Sequence, residues 1–209
     1  MFKKVLKFIC IAPLLMAFQC DDEIGNQLRF NPYKINITPN ATLSLNDTIW
    51  ITARVSSKVY DLSTNDSIFN EDPNKIFNQF TLFKLIEPIN DRAANTEGAI
   101  HKFDIIYDIG DYSPRTVCEN TKKTIFPELN NDGSLYMYRI GLKPLVVGDY
   151  MINWPSINSA VVQNENRNES IIENYQIENR PYQIDFNQCG NRSVLFIDET
   201  ERIYFFSIR

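Results

Sequence analysis

Few residues of this 209-residue chain have the types and spacing that catalysis requires. His101 is the single histidine, so any Ser-His-Asp or Cys-His site would have to use it. It stands in the apolar phase of an alternating segment, residues 101–109, and the chain has no Gly-x-Ser-x-Gly sequence. We therefore predict a packed or hydrogen-bonded His101 with a structural role, no catalytic residue, and a chain that is not an enzyme.

Carboxylates and amides are the next candidates for chemistry. Asp104 and Asp108 would share one strand face about 13 Å apart, whereas glycosidase carboxylates lie roughly 5–9.5 Å apart. Residues 128–139 carry acids or amides at the first, third and fifth positions of a calcium-type loop and glycine at the sixth. Arg139, however, stands at the last position, where calcium needs a bidentate glutamate. We predict a solvated strand face and a plain hairpin turn, with no metal.

Cofactor chemistry also lacks its usual residues. None of the seven glycines is spaced as Gly-x-Gly-x-x-Gly, the arrangement that cradles a dinucleotide phosphate. A single histidine excludes zinc sites built from several histidines. The sequence therefore predicts no cofactor.

Tryptophan is the remaining lead toward ligand binding. Trp50 lies on the strand face opposite Ile49 and Ile51, and Trp154 ends a later strand. An exposed tryptophan on a sheet face or rim can stack on a sugar or on a partner protein. Trp50 and Trp154 are the candidate stacking residues. For Trp50 the favoured interpretation is that a loop or a second sheet covers its face.

The first 19 residues have the features of an export signal. Lys3, Lys4 and Lys7 precede an uncharged apolar run at residues 8–18. As a helix this run would be about 16 Å long, against a bilayer core of about 30 Å. A basic segment followed by a short apolar one is typical of a cleaved signal peptide rather than of a membrane span.

The residues that follow resemble those of bacterial lipoproteins. Residues 17–20 (AFQC) are similar to a lipobox, which implies that the Cys20 thiol is acylated and that Cys20 becomes the first residue of the mature chain. Residues 21–23 (DDE) resemble the acidic export tag of surface lipoproteins in Bacteroidota-type bacteria. The resemblance implies an outer-membrane lipoprotein of the cell envelope, exposed at the surface and attached to the membrane through lipid on Cys20.

Two short motifs are similar to glycosylation acceptors of the same bacteria. Residues 47–49 (DTI) and 66–68 (DSI) match the pattern of Asp, then Ser or Thr, then an apolar residue. The resemblance implies O-glycosylation at Thr48 and Ser67.

Two of the four cysteines remain once residues 1–19 are removed and Cys20 is acylated. These are Cys118 and Cys189, a single pair in an exported and oxidising setting, which favours a disulfide. The alternative is two free, buried thiols.

The charge of the chain excludes one class of partner. Its 26 acidic and 21 basic residues give a net charge of −5, and removal of residues 1–19 takes away three lysines and no acid, which makes it −8. Phosphate backbones require basic clusters, and the mature chain has no Lys or Arg run longer than Lys122-Lys123. We therefore expect no nucleic-acid partner.

The elements that must position these residues are strands. Residues 47–56 alternate between β-branched or small apolar residues and polar ones, as a half-buried strand does. Further alternating or apolar segments occur at residues 101–109, 136–142, 150–154, 182–186, 194–197 and 203–208. Turn residues separate several of them, including Asp132-Gly133. Such a series predicts an all-β fold, an antiparallel sandwich.

The hairpin at residues 142–154 resembles the "turn, Gly, Tyr, strand" ending of many immunoglobulin-like modules, and the mature chain as a whole resembles single-domain β-rich lipoproteins of Bacteroidota. We predict a single elaborated domain, an antiparallel immunoglobulin-like β-sandwich at residues 32–209, after a flexible tether at residues 20–31. The leading functional hypothesis is a non-enzymatic envelope protein that binds a ligand or joins a surface assembly, with a glycan or an envelope protein as its partner. The alternative is a glycan-binding accessory lipoprotein, and the third is a carboxylate-based hydrolase.

Overall fold

The computed structural model is all-β, as the sequence predicts. It describes residues 28–38, 42–73, 79–87, 95–114, 118–155, 161–170, 183–188, 191–196 and 201–209. Short 3-10 helices occur at Ile100–Lys102 and Arg167–Glu169. Within the described ranges, no helix is long and apolar enough to cross a membrane.

Eighteen strands are described. In chain order they are β1 (Leu28–Arg29), β2 (Tyr33–Ile37), β3 (Thr42–Leu43), β4 (Ile49–Ser56), β5 (Lys58–Asp61), β6 (Asp66–Phe69), β7 (Gln79–Leu85), β8 (Thr96–Gly98), β9 (Phe103–Ile109), β10 (Asp111–Tyr112), β11 (Lys122–Phe126), β12 (Glu128–Leu129), β13 (Leu135–Pro144), β14 (Gly148–Asn153), β15 (Val162–Asn164), β16 (Gln183–Gln188), β17 (Asn191–Phe196) and β18 (Ile203–Ile208).

The six-stranded sheet has the order β12-β13-β4-β2-β15, and β9 also pairs with β13. Alternate residues of β4 and β13 are buried, and those between them are mostly half-buried or exposed. This is the predicted period of two, and it means that one face of the sheet packs on the core while the other meets solvent.

The seven-stranded sheet has the order β10-β11-β7-β14-β18-β3, and β8 also pairs with β7. All six residues of β18 are buried, and so are the last four of β14. Both faces of this sheet are therefore covered at its centre, unlike those of the six-stranded sheet.

One hydrophobic core joins the two large sheets. It contains Ile51 and Tyr138 from the six-stranded sheet together with Tyr150 and Phe206 from the seven-stranded sheet. The rings of Tyr150 and Phe206 stack with centroids 5.5 Å apart, and Phe103 meets Tyr150 edge-on at 4.9 Å. Two sheets around one core are consistent with the predicted sandwich.

The pairing is not wholly antiparallel, which corrects the sequence-based expectation. β15 runs parallel to β2, and β18 runs parallel to β3. The reason is that the N-terminal segment serves both sheets: β2 pairs with β4 in one and β3 pairs with β18 in the other.

The predicted tether at residues 20–31 is wrong at its C-terminal end. Leu28 and Arg29 pair with Asp61 and Tyr60, because β1 joins β5 and β6 in a three-stranded sheet. Cys20 itself lies outside the described residues. A separate hairpin, β16-β17, forms a two-stranded sheet.

The local environment of His101 also differs from the prediction. The strand begins at Phe103, and His101 lies in the 3-10 helix before it, where its side chain is exposed. The alternation of side chains between two faces applies only within a strand, so it does not predict the burial of a residue in a 3-10 helix. The predicted turn at Asp132-Gly133 is confirmed, with Gly133 at a φ of +72°.

Candidate functional site

A cleft of about 420 Å³ opens at one edge of the sandwich, between β9 and the β10-β11 pair. We call it the tyrosine cleft and define it by the residues Asp104, Tyr107, Tyr112, Glu119, Asn120 and Lys123. His101 also lines it, together with apolar residues that include Phe103. The cleft therefore combines aromatic rings, carboxylates, an amide and an ammonium group.

Tyr107 and Tyr112 reach the same cleft because the chain changes sheets between them. β9 pairs with β13 in the six-stranded sheet, whereas β10 pairs with β11 in the seven-stranded sheet. Gly110 makes the transition with a φ of +88°, and a Cβ there would lie 2.8 Å from the carbonyl oxygen of Phe126. On an unbroken strand, side chains five positions apart point to opposite faces. The bend at Gly110 brings the two rings together.

The two tyrosine rings stack on each other. Their centroids are 4.4 Å apart with an interplanar angle of 17°. Tyr112 is 40% exposed, whereas Tyr107 is half-buried. Burial, with smaller effects from Tyr112 and Asp111, raises the pKa of Tyr107 to about 12, so its hydroxyl is protonated at neutral pH. The ammonium of Lys123 lies 5.7 Å from the Tyr112 ring centroid.

A tight turn forms the opposite wall. The backbone N–H groups of Thr121 and Lys122 donate to the carbonyl of Cys118 at 2.9 and 3.0 Å, and that of Ile100 donates to the carbonyl of Asn120 at 2.9 Å. These bonds hold Glu119 and Asn120, both exposed, beside β9. Cys118 is disulfide-bonded. Because Cys189 lies outside the described residues, its pairing with Cys118 stays a prediction.

Trp50, the first predicted stacking residue, lies on the solvent face of the six-stranded sheet and is half-buried. The Arg139 guanidinium lies 4.0 Å from its ring centroid, and Arg139 also forms a 2.5 Å ion pair with Asp108. Gly141 is the cross-strand neighbour of Trp50, and a Cβ there would lie 3.1 Å from the indole ring. The Arg139 cation therefore covers one face of the indole on the solvent side of the sheet.

Trp154, the second predicted stacking residue, is wrong as a ligand platform. It is 0% exposed and belongs to the hydrophobic core. Its backbone N–H donates to the carbonyl of Arg202 at 2.9 Å, which continues the edge of β14 toward β18. Because the last four residues of β14 are all buried, alternation along this strand does not separate buried from exposed positions, and Trp154 is buried as well.

The carboxylate candidates belong to different sites. Asp104 and Asp108 are both exposed on β9, as predicted, but Asp104 lines the tyrosine cleft and Asp108 binds Arg139 beside Trp50. In the 128–139 segment, Asn130 and Asp132 accept hydrogen bonds from the backbone N–H of Ser134, both at 2.9 Å. Both side-chain oxygens are therefore engaged in hydrogen bonds that stabilise the turn. Among the described residues, no group of three or more His, Cys, Asp and Glu is placed to hold a metal.

The two glycosylation candidates differ in accessibility. Ser67 is exposed on β6 and borders a smaller recess with Arg29, Asn31 and Tyr60. Thr48 is half-buried, and its methyl group would lie 2.8 Å from a Cβ at Gly141. Modification of either residue stays a prediction, and Ser67 is the more accessible of the two.

The tyrosine cleft was not predicted, although its sequence contains a signal. The segment that connects the rings is Asp108-Ile109-Gly110-Asp111, in which glycine interrupts an alternating run of residues. Glycine inside a strand pattern indicates a bulge or a close backbone approach. The glycine brings the two tyrosines together only because β9 and β10 pair with different sheets, and the sequence does not show that pairing.

No protein-family model matches the chain, and no curated protein is significantly similar to it in sequence. The role of the tyrosine cleft is therefore inferred from the chemistry and geometry of its own residues.

Proposed function

We propose that this chain is a lipid-anchored binding protein of the bacterial cell envelope, without catalytic activity, whose binding site is the tyrosine cleft. The single observation that carries the proposal is the cleft. Ligand sites are usually concave, roughly 300–1,000 Å³ in volume, and lined by aromatic residues with a few converging polar groups. The cleft has about 420 Å³, two stacked tyrosines, and polar groups of both charges.

We also propose that the sandwich is immunoglobulin-like, and the strand order supports this. Immunoglobulin domains place strands A, B, E and D in one sheet and strands C, F and G in the other. Here β2, β4, β13 and β9 are in one sheet, and β7, β14 and β18 are in the other. Taken in chain order as A to G, these seven strands follow the immunoglobulin arrangement.

The corner before β14 gives independent support. The Tyr150 hydroxyl donates to the carbonyl of Val146, four residues upstream, at 2.8 Å. A tyrosine near the start of strand F that hydrogen-bonds to the preceding backbone is a hallmark of immunoglobulin-like sandwiches. In antibody domains a disulfide cysteine follows two residues later, whereas this chain has buried Ile152 there.

The proposed location follows from residues 1–23. The lipobox-like run and the acidic DDE segment support acylation of Cys20 and residence in the outer membrane, exposed at the surface. Several acyl chains are needed for stable anchoring, because a single chain binds a membrane only marginally.

Two experiments test the proposal. For the anchor, incorporation of labelled fatty acid into the expressed chain is compared with that into Cys20→Ser. We expect labelling of the wild type alone, and equal labelling would contradict lipidation at Cys20.

For the site, hydrogen–deuterium exchange of the protein is measured with and without a solubilised envelope fraction. Slower exchange at residues 103–112 and 118–123 is expected, because a ligand in the cleft shields both walls. Protection confined to other segments would contradict the cleft as the binding site. Tyr112→Ala is the control, and it should abolish the change.

A further inference from the structure

We propose that the tyrosine cleft binds a neutral sugar ring of a glycan, with the apolar face of the pyranose against Tyr112. The inference rests on the proposed function, in which the cleft is the binding site, and adds the chemical class of the ligand.

The aromatic part of the cleft is preorganised for stacking. Tyr107 backs Tyr112 at 4.4 Å, so the exposed ring is held in place before a ligand arrives. An aromatic ring has a negative face and a large apolar surface. The axial C–H bonds of a pyranose offer a complementary apolar and weakly positive face. A rigid ring loses little conformational freedom on binding, which favours affinity.

The polar part of the cleft suits hydroxyl groups. Asp104 and Glu119 accept hydrogen bonds, Lys123 donates them, and the Asn120 amide does both. The Tyr107 hydroxyl, protonated at neutral pH, also donates and accepts. Each sugar hydroxyl is both a donor and an acceptor, so the mixture matches a polyol better than it matches a ligand with one kind of polar group.

The charges of the cleft decide between ligand classes. Two carboxylates repel sulfated, phosphorylated or carboxylated ligands. An ammonium ligand would be attracted by the carboxylates and the tyrosine faces, but it is repelled by the Lys123 ammonium, which lies 5.7 Å from the Tyr112 centroid. A sugar hydroxyl instead accepts a hydrogen bond from that ammonium. A neutral, hydroxyl-rich ring is repelled neither by the carboxylates nor by the Lys123 ammonium.

The test uses the lipidated protein in a detergent without a sugar headgroup. Saturation-transfer difference NMR is recorded with neutral oligosaccharides of glucose, mannose, galactose and xylose, with one acidic oligosaccharide, and with choline. We expect transfer to ring C–H protons of at least one neutral oligosaccharide. The affinity should fall about tenfold or more in Tyr112→Ala, which corresponds to about 1.4 kcal/mol.

Two further variants make the test specific. Glu119→Ala removes an exposed acceptor from the far wall and should also weaken binding, so the result does not depend on the folding of Tyr112→Ala alone. Trp50→Ala, on the solvent face of the six-stranded sheet, is the matched aromatic control and should bind as the wild type does.

The outcomes separate the two proposals. Binding of choline or of the acidic oligosaccharide in place of the neutral ones, lost in Tyr112→Ala, would overturn the neutral-sugar inference and leave the cleft as a binding site. Neutral-sugar binding that is lost in Trp50→Ala and kept in Tyr112→Ala would overturn the cleft itself. Absence of Tyr112-dependent transfer from every ligand would overturn both.

Discussion

Two aromatic sites of this molecule, the tyrosine cleft and the Trp50 surface, both place a cation beside an aromatic ring, but in different surroundings. Trp50 lies on the solvent face of the six-stranded sheet, where Arg139 covers it at 4.0 Å. Tyr112 lies in a concave edge where a second tyrosine backs it at 4.4 Å and its ring stays 40% exposed. Each ring has a cation nearby, but Arg139 lies 4.0 Å from the Trp50 centroid whereas Lys123 lies 5.7 Å from that of Tyr112, so Tyr112 is the less closely covered of the two. Under the proposed function, exposure and surroundings, rather than residue type, distinguish the binding aromatic from the packing one.

Each site also contains a glycine, and the two glycines act differently. Gly141 leaves room for the indole, so a Cβ there would meet side-chain atoms of Thr48 and Trp50. Gly110 turns the chain between sheets, so a Cβ there would meet the backbone oxygen of Phe126. Side chains move more easily than backbone, and this gives the comparison measurable consequences.

The largest expected effect concerns the disulfide, which would support the cleft alone. A Cys118–Cys189 bond closes a loop of roughly 70 residues, for which the chain-entropy model gives about 4 kcal/mol. We expect Cys118→Ser to lower the free energy of unfolding by about 2–4 kcal/mol. Binding in the cleft should weaken while the fluorescence of Trp50 is unchanged. Urea unfolding and disulfide mapping by mass spectrometry measure this, and two free thiols in the exported protein would refute it.

The next effect compares the two glycines. Gly110→Ala places a side chain at a φ of +88° against backbone and should cost about 1–3 kcal/mol of stability. Gly141→Ala, the matched control, has an ordinary φ and should cost less, because Thr48 and Trp50 are able to shift. Denaturant unfolding of both variants tests this. Equal losses would mean that the sheet change at Gly110 does not strain the chain.

A smaller effect is expected when Trp50 is uncovered. Arg139→Ala removes a cation–π contact of about 0.5–1 kcal/mol and an exposed ion pair of about 0.2–1 kcal/mol. Acrylamide should quench the tryptophan fluorescence more strongly, and the change can be assigned to Trp50 because Trp154 is 0% exposed. Arg54→Ala, which breaks the ion pair with Glu165 on the same sheet face, is the control and should leave quenching unchanged.

The alkaline response of the cleft has no effect at neutral pH and appears only above about pH 10. The pKa of Tyr107 is about 12 in the folded protein and about 10 in an unfolded chain. Because the unfolded state loses this proton first, the stabilisation from the neutral hydroxyl is complete below pH 10 and declines toward pH 12. Unfolding free energies of Tyr107→Phe should therefore fall less steeply over this range than those of the wild type. Parallel curves for the two proteins would contradict the burial of this hydroxyl.

The sequence predicted the six-stranded sheet better than the seven-stranded one. Alternation in β4 identifies its buried and solvent faces, since one side of that sheet meets water. In β14 and β18 both faces are buried, so the pattern that ends at Trp154 gives no indication of exposure. The tyrosine stack depends on which sheet each neighbouring strand joins, and this long-range pairing is not encoded in the local pattern. His101 was misplaced because a 3-10 helix precedes the strand.

If the chain is exported as proposed, the parallel pair of β3 and β18 has a consequence for the order in which the domain is completed. β18 lies between β14 and β3, so the seven-stranded sheet has an open strand edge until residues 203–208 take their place. In a chain that crosses the membrane from its N terminus, those residues arrive after all the other strands. The half-built sheet meanwhile presents unpaired N–H and C=O groups of β14, which are a template for aggregation. In the proposed export, completion of the domain therefore waits for β18, the strand that covers the open edge of β14.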